Sequence, residues 1–91
     1  MIRRRVLITG DVHGVYFRDT CRRTAQMLDV AGWVRNRFDG TVEAVFEGAP
    51  DDVDRLVEWS RHGPELAEVD SAQVFDEEVE GLPGFEIRPT A

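Results

Sequence analysis

Lysine is absent from this chain, cysteine occurs once, and the apolar stretch nearest the amino terminus, Val6 to Ile8, meets Gly10 and Asp11 almost at once. Each shortage excludes something. A lone Cys21 cannot close an internal disulfide, and without C-x-x-C or a Cys/His cluster at zinc spacing the chain offers no structural metal knot, so a reducing cytoplasm is the expected setting. Three apolar residues are too few for a signal peptide or a membrane span, and no membrane partner is expected. At 91 residues and 42% hydrophobic content, the chain has material for one core. The expectation is one domain over residues 1–91, with any site on its surface.

Net charge is −7, which argues against a nucleic-acid partner. The charge is unevenly spread. Residues 1–37 hold eight arginines and three aspartates, net +5, whereas the remainder carries −12. Such asymmetry predicts a positive region able to attract a small anion, with individually solvated arginines as the plainer alternative.

Period-2 placement of Val6 and Ile8 predicts a first strand from Arg3 to Val12. Phe17, Cys21, Ala25 and Leu28 recur at helical spacing and predict a helix over 18–29. Val30, Gly32, Val34, Asn36 and Phe38 share the parity of one strand face, Asp39-Gly40 reads as a tight turn, and Val42, Ala44 and Phe46 alternate after it: a β-hairpin. Pro50, Asp51 and Asp52 open a second helix, with Val53, Leu56, Val57 and Ser60 as its buried stripe and Gly63-Pro64 as its stop. A fourth strand near Val69 to Phe75 and a short last one through Phe85 and Ile87 complete the chain. The order β-α-β-β-α-β predicts an α+β, ferredoxin-like sandwich, an antiparallel sheet with both helices on one face. That architecture serves many functions and decides none.

Chemistry concentrates in Gly10-Asp11-Val12-His13-Gly14-Val15-Tyr16-Phe17-Arg18, which runs from a strand end into a helix start. Such a junction exposes unpaired N–H groups and the positive end of a helix dipole, and Gly14 lets the backbone turn so that amides converge on an anion. Arg18 in the first helical turn opposes the dipole and calls for an anion nearby: a ligand, or a carboxylate such as Asp19. Asn36 interrupts an apolar parity set with a residue depleted in strands; it serves chemistry or satisfies a backbone group at the sheet end.

Taken together, G-x-V-x-G-V-x-F-R at Gly10 to Arg18, G-W-V-x-N at Gly32 to Asn36 and D-G-x-V at Asp39 to Val42 resemble the acylphosphatase family, over essentially the whole chain. The resemblance implies hydrolysis of the carboxyl-phosphate anhydride of a small acyl phosphate. It implies that Arg18 binds phosphate, that the backbone amides of His13, Gly14, Val15, Tyr16, Phe17 and Arg18 cradle it, and that Asn36 positions the attacking water. His13 departs from the pattern, standing where the family commonly has glutamine; a solvated loop position is the plainer reading of its side chain.

A carboxylate leaving group has a conjugate acid of pKa roughly 4, so no general acid is needed. Phosphoryl transfer asks chiefly for positioning and charge stabilisation, which a guanidinium and aligned amides supply. No metal and no cofactor are expected, because carboxylates near the loop are limited to Asp11 and Asp19. His62, Trp33, Trp59 and Cys21 read as structural residues. Three rivals remain: a non-catalytic anion-binding module of the same fold, an RNA-binding sheet, for which paired open-face aromatics are missing, and the front domain of a larger carbamoyl-transfer protein. A free-standing, monomeric enzyme is the expectation.

Overall fold

Val6 and Ile8 fulfil the period-2 pattern, both fully buried on one face of strand β1 (Ile2–Asp11). The computed structural model describes residues Met1–Ala91. Helix α1 (Phe17–Met27) buries Phe17, Cys21 and Ala25 on one stripe. It ends two residues before the predicted limit, because Asp29 turns to a left-handed φ of +55° and the N–H groups of Asp29 and Val30 donate back to Gln26 O and Ala25 O.

Strands β2 (Ala31–Asn36) and β3 (Val42–Gly48) form the predicted hairpin, with Asn36 opposite Val42. The connection is not a two-residue turn at Asp39-Gly40 but a loop over 37–41. The Asp39 carboxylate accepts from Thr41 N at 3.0 Å and Thr41 Oγ1 at 2.6 Å, which closes a wider Asx-type turn and ends β2 at Asn36. Phe38, assigned by parity to the buried face, therefore lies on the loop and is 85% exposed.

Helix α2 (Pro50–Ser60) starts on its proline, buries Val53, Leu56 and Ser60, and stops before Gly63-Pro64, as expected. Strands β4 (Glu68–Glu77) and β5 (Phe85–Ile87) complete a five-stranded sheet in the order β4-β1-β3-β2-β5. Helix α1 lies over β2 and β5, and α2 over β1 and β3, giving the ferredoxin-like arrangement with both helices on one face. Phe17, Phe46, Ile8, Leu56 and Val34 fill the space between the layers. No helix is long and apolar enough to cross a membrane.

The sheet is not wholly antiparallel, since β5 runs parallel to β2. Strand β4 descends beside β1 at one edge, so the chain must return upward to form β5 at the other edge, and upward is also the direction of β2. Glu47 holds the returning segment. Its buried carboxylate accepts from the N–H groups of Glu80, Gly81 and Leu82 at 2.7, 3.1 and 3.0 Å, and from Arg3 Nη1 at 2.8 Å. Burial alone would raise its pKa, but the Glu80 amide, the Arg3 guanidinium and the Leu82 amide outweigh it and pull the value down to about 2.

Folding also breaks up the predicted positive region. On the open face, Arg3 meets Glu47 and Glu77, Arg5 meets Glu43 and Glu77, and Arg35 meets Glu43, all within 3.4 Å. These three arginines of the first half are neutralised by carboxylates of the second, brought to them by β3 and β4.

Candidate active site

Three strand ends and one helix start share one end of the sheet. Strand β1 ends there at Asp11 and α1 begins at Phe17; β2 ends at Asn36, and β5 reaches Ile87 opposite Val34. Ile8, Val42 and Asn36 stand in one row across β1, β3 and β2. Directly opposed residues face the same way, so Asn36 shares the helix-covered face with the buried Ile8 and Val42.

Between β1 and α1 the backbone turns sharply. Gly14 has φ +69°, Tyr16 has φ +64°, and Val15 between them is negative. Alternation of sign is how successive N–H groups come to point into one concavity. A side chain at Gly14 would meet nothing within 4 Å, so the glycine answers to the backbone angle rather than to crowding. Upstream, Gly10 sits at a register shift between β1 and β4, where an added Cβ would strike Glu68 O at 2.2 Å. No N–H group from His13 to Asp19 donates to another group of the protein; the first to do so is Thr20, to Tyr16 O at 3.1 Å. Seven amides are thus left to solvent or a ligand.

Arg18 borders an open pocket of about 400 Å³ together with Gly14, Tyr16 and Asp19. Val12 and Phe17 form its floor, and Ile87 closes the side. Asp19 does not neutralise Arg18. Its carboxylate is taken by Arg22 at 2.8 Å and Arg23 at 3.2 Å, the i+3 and i+4 neighbours, whereas adjacent residues on a helix do not face each other. The chain has eleven arginines and lysines in all, every one an arginine, and ten lie within 3.9 Å of a carboxylate. Arg18 is the exception.

Of the loop residues expected to bind substrate, Gly14, Tyr16, Phe17 and Arg18 line this pocket; His13 and Val15 do not. Nor does Asn36, which stands beside the site, two residues beyond the Val34 that pairs with Ile87. The Asn36 Oδ1 is buried and accepts no hydrogen bond. A half-turn of the amide exchanges it with the accessible nitrogen, so the open end can accept from or donate to a water. The His13 side chain is not simply solvated. Its Nε2 lies 2.8 Å from Thr41 O, tying the loop to the hairpin that carries Asn36. Val12, inside the motif, lines the pocket without having been assigned a binding role; sequence reasoning missed Asp19, which flanks the motif, and Ile87, which arrives from a distant strand and carries no local signal.

An unpaired guanidinium beside a row of free amides is a receptor for a small anion, and the family model for acylphosphatase matches residues 4–87. The chain belongs to the acylphosphatase family. An acylphosphatase of Gloeobacter violaceus is 52% identical over 86 residues, covering 94% of this chain and 92% of that protein. The crystal structure of acylphosphatase from Bacillus subtilis superposes with a TM-score of 0.92 at 34% identity, over 97% of this chain and 99% of that one. That of an acylphosphatase from Coxiella burnetii gives 0.92 at 36%, over 96% and 92%. Acylphosphatases hydrolyse small acyl phosphates to a carboxylate and inorganic phosphate, and the pocket at Arg18 is open enough to admit such a molecule.

Proposed function

We propose that Arg18 and the backbone amides of residues 13–18 hold the phosphoryl group of an acyl phosphate, while Asn36 orients the water that attacks it. The observation that carries this reading is the unpaired state of Arg18 beside seven free amides. A doubly charged phosphoryl group supplies the anion that a cation in a helix's first turn requires, and the guanidinium fork can meet two of its oxygens.

In the reaction the water oxygen bonds to phosphorus as the bond from phosphorus to the acyl oxygen breaks, and the electron pair leaves with the carboxylate. Because that carboxylate is stable, no protonation of the leaving group is required. Charge on the equatorial oxygens is met by Arg18 and the amides, which are aimed before the substrate arrives and need no reorganisation. Asn36 contributes placement along the line of attack. No step is assigned to a metal. The His13 bond to Thr41 O sets the distance between the phosphate-holding and water-holding parts.

The single hydrophobic core supports reading residues 1–91 as one domain, and the buried free thiol of Cys21, pushed up by burial and so unreactive, is compatible with a cytoplasmic monomer. The test is hydrolysis of benzoyl phosphate in excess EDTA by the wild type, Arg18→Ala and Asn36→Ala, with inhibition by inorganic phosphate measured in parallel. Arg18→Ala should lose phosphate inhibition and turnover together; Asn36→Ala should lose turnover and keep phosphate inhibition. Equal loss of phosphate binding in both would overturn the division of roles, and a wild type that binds phosphate without hydrolysing the anhydride would favour an anion-binding module.

A further inference from the structure

Eight large hydrophobic side chains are left exposed on this protein, and most are scattered. Two converge. Tyr16, 72% exposed, and Ile87, 38% exposed, both border the pocket that holds Arg18, with buried Val12 and Phe17 behind them. A phosphate group of five heavy atoms, counting the bridging oxygen, fills about three water volumes, on the order of 90 Å³ at ~30 Å³ per water. The pocket is about 400 Å³, so most of it is left for something else.

We propose that the apolar side of this pocket, formed by Tyr16 and Ile87 over Val12 and Phe17, is the acyl subsite, and that it selects acyl phosphates whose acyl group is uncharged and apolar or aromatic. The proposal rests on the phosphate-binding reading above and deepens it by naming the other half of the substrate.

Two further observations support it. Tyr16 keeps a left-handed backbone with ψ +22°, a conformation that disfavours side chains, and it holds a large ring at the mouth with no hydrogen bond made by its hydroxyl. Uncovered aromatic surface beside a polar anchor is the usual make-up of a small-molecule site. The electrostatics also discriminate. Arg18 is the pocket's one cation, and the phosphoryl group uses it; the other charged wall residue, Asp19, is acidic. Asp19 is itself taken up by Arg22 and Arg23, so an acyl group bearing its own carboxylate would find no free cation as partner in the pocket lining.

The experiment compares kcat/KM for benzoyl, acetyl and succinyl monophosphates in the wild type and in Ile87→Ser. Leaving-group differences cancel when the benzoyl-to-acetyl ratio of the variant is divided by that of the wild type. The ratio should fall roughly fivefold to tenfold in Ile87→Ser, the scale of partial loss of an apolar wall, and succinyl phosphate should be the poorest of the three in the wild type. An unchanged ratio, or succinyl phosphate performing as well as benzoyl phosphate, overturns the acyl-subsite assignment while leaving phosphate binding and catalysis intact. Hydrolysis of none of the three overturns the catalytic reading as well. Independently of any variant, phenylphosphonate should inhibit the wild type about tenfold more tightly than methylphosphonate; equal inhibition overturns the subsite.

Discussion

Replacing Asn36 with valine should make the protein more stable and nearly inactive. The wild-type Oδ1 is buried without a partner, and an unsatisfied buried acceptor costs about 1–3 kcal/mol. The position belongs to a face otherwise occupied by Val34, Val42 and Ile8, all fully buried, where a β-branched residue packs better than asparagine by up to ~1 kcal/mol. Valine is no smaller than asparagine, so no cavity is left behind, and a net gain of ~1–2 kcal/mol is expected. For a domain of this size, that corresponds to about 1 M in the urea midpoint at m of ~1–1.5 kcal/mol/M, or several degrees in Tm. Trp33 and Trp59 provide the fluorescence signal for unfolding. Turnover of benzoyl phosphate should fall at least ~100-fold, since the water loses its placement. A variant less stable than the wild type, or one turning over within tenfold of it, would refute the argument that this side chain is retained for chemistry at the expense of packing.

Three other outcomes follow from the geometry. Arg18→Ala should change stability by less than ~0.5 kcal/mol, because no ion pair is lost and a misplaced cation is removed from the helix start, while inorganic phosphate affinity falls at least ~30-fold; urea titration and phosphate inhibition check the two halves. Glu47, depressed from 4.5 to about 2 in the fold, contributes ~3 kcal/mol that is fully present above pH 4.5 and is lost as pH falls through 2, so urea midpoints should decline on acidification and Glu47→Gln should flatten that decline. His13→Gln, which can still donate to Thr41 O, should retain kcat, whereas His13→Ala should lower kcat more than KM and cost about 1 kcal/mol of stability; unchanged kinetics in the alanine variant would remove the tether's role.

Much of the helix layer was legible because Phe17, Cys21 and Ala25 obey a period that nothing else in the segment competes with. Hairpin parity held up to Asn36 and failed at Phe38, since an aspartate side chain closing on Thr41 redirects the chain in a way periodicity does not encode. The importance of Arg18 could be read from its place at a helix start, but the alternative of a pair with Asp19 overlooked Arg22 and Arg23, whose i+3 and i+4 positions bring them to that carboxylate. The fate of Arg3 and Arg5 could not be read, because their partners Glu43, Glu47 and Glu77 lie 38 to 74 residues away and meet them only through strand order. Ile87 was hidden for the same reason: the parallel entry of β5 beside β2 places it at the pocket.

Strand β4, ten residues long, forms a sheet edge with one side unpaired. An uncovered edge of that length is a template on which another chain could add. Its guards are side-chain charges: Asp76 and Glu77 are paired with arginines of β1, but Glu68 and Asp70 have no ion-pair partner and set any second copy against uncompensated negative groups. The protection of this edge thus rests on side-chain charge rather than on a covering element.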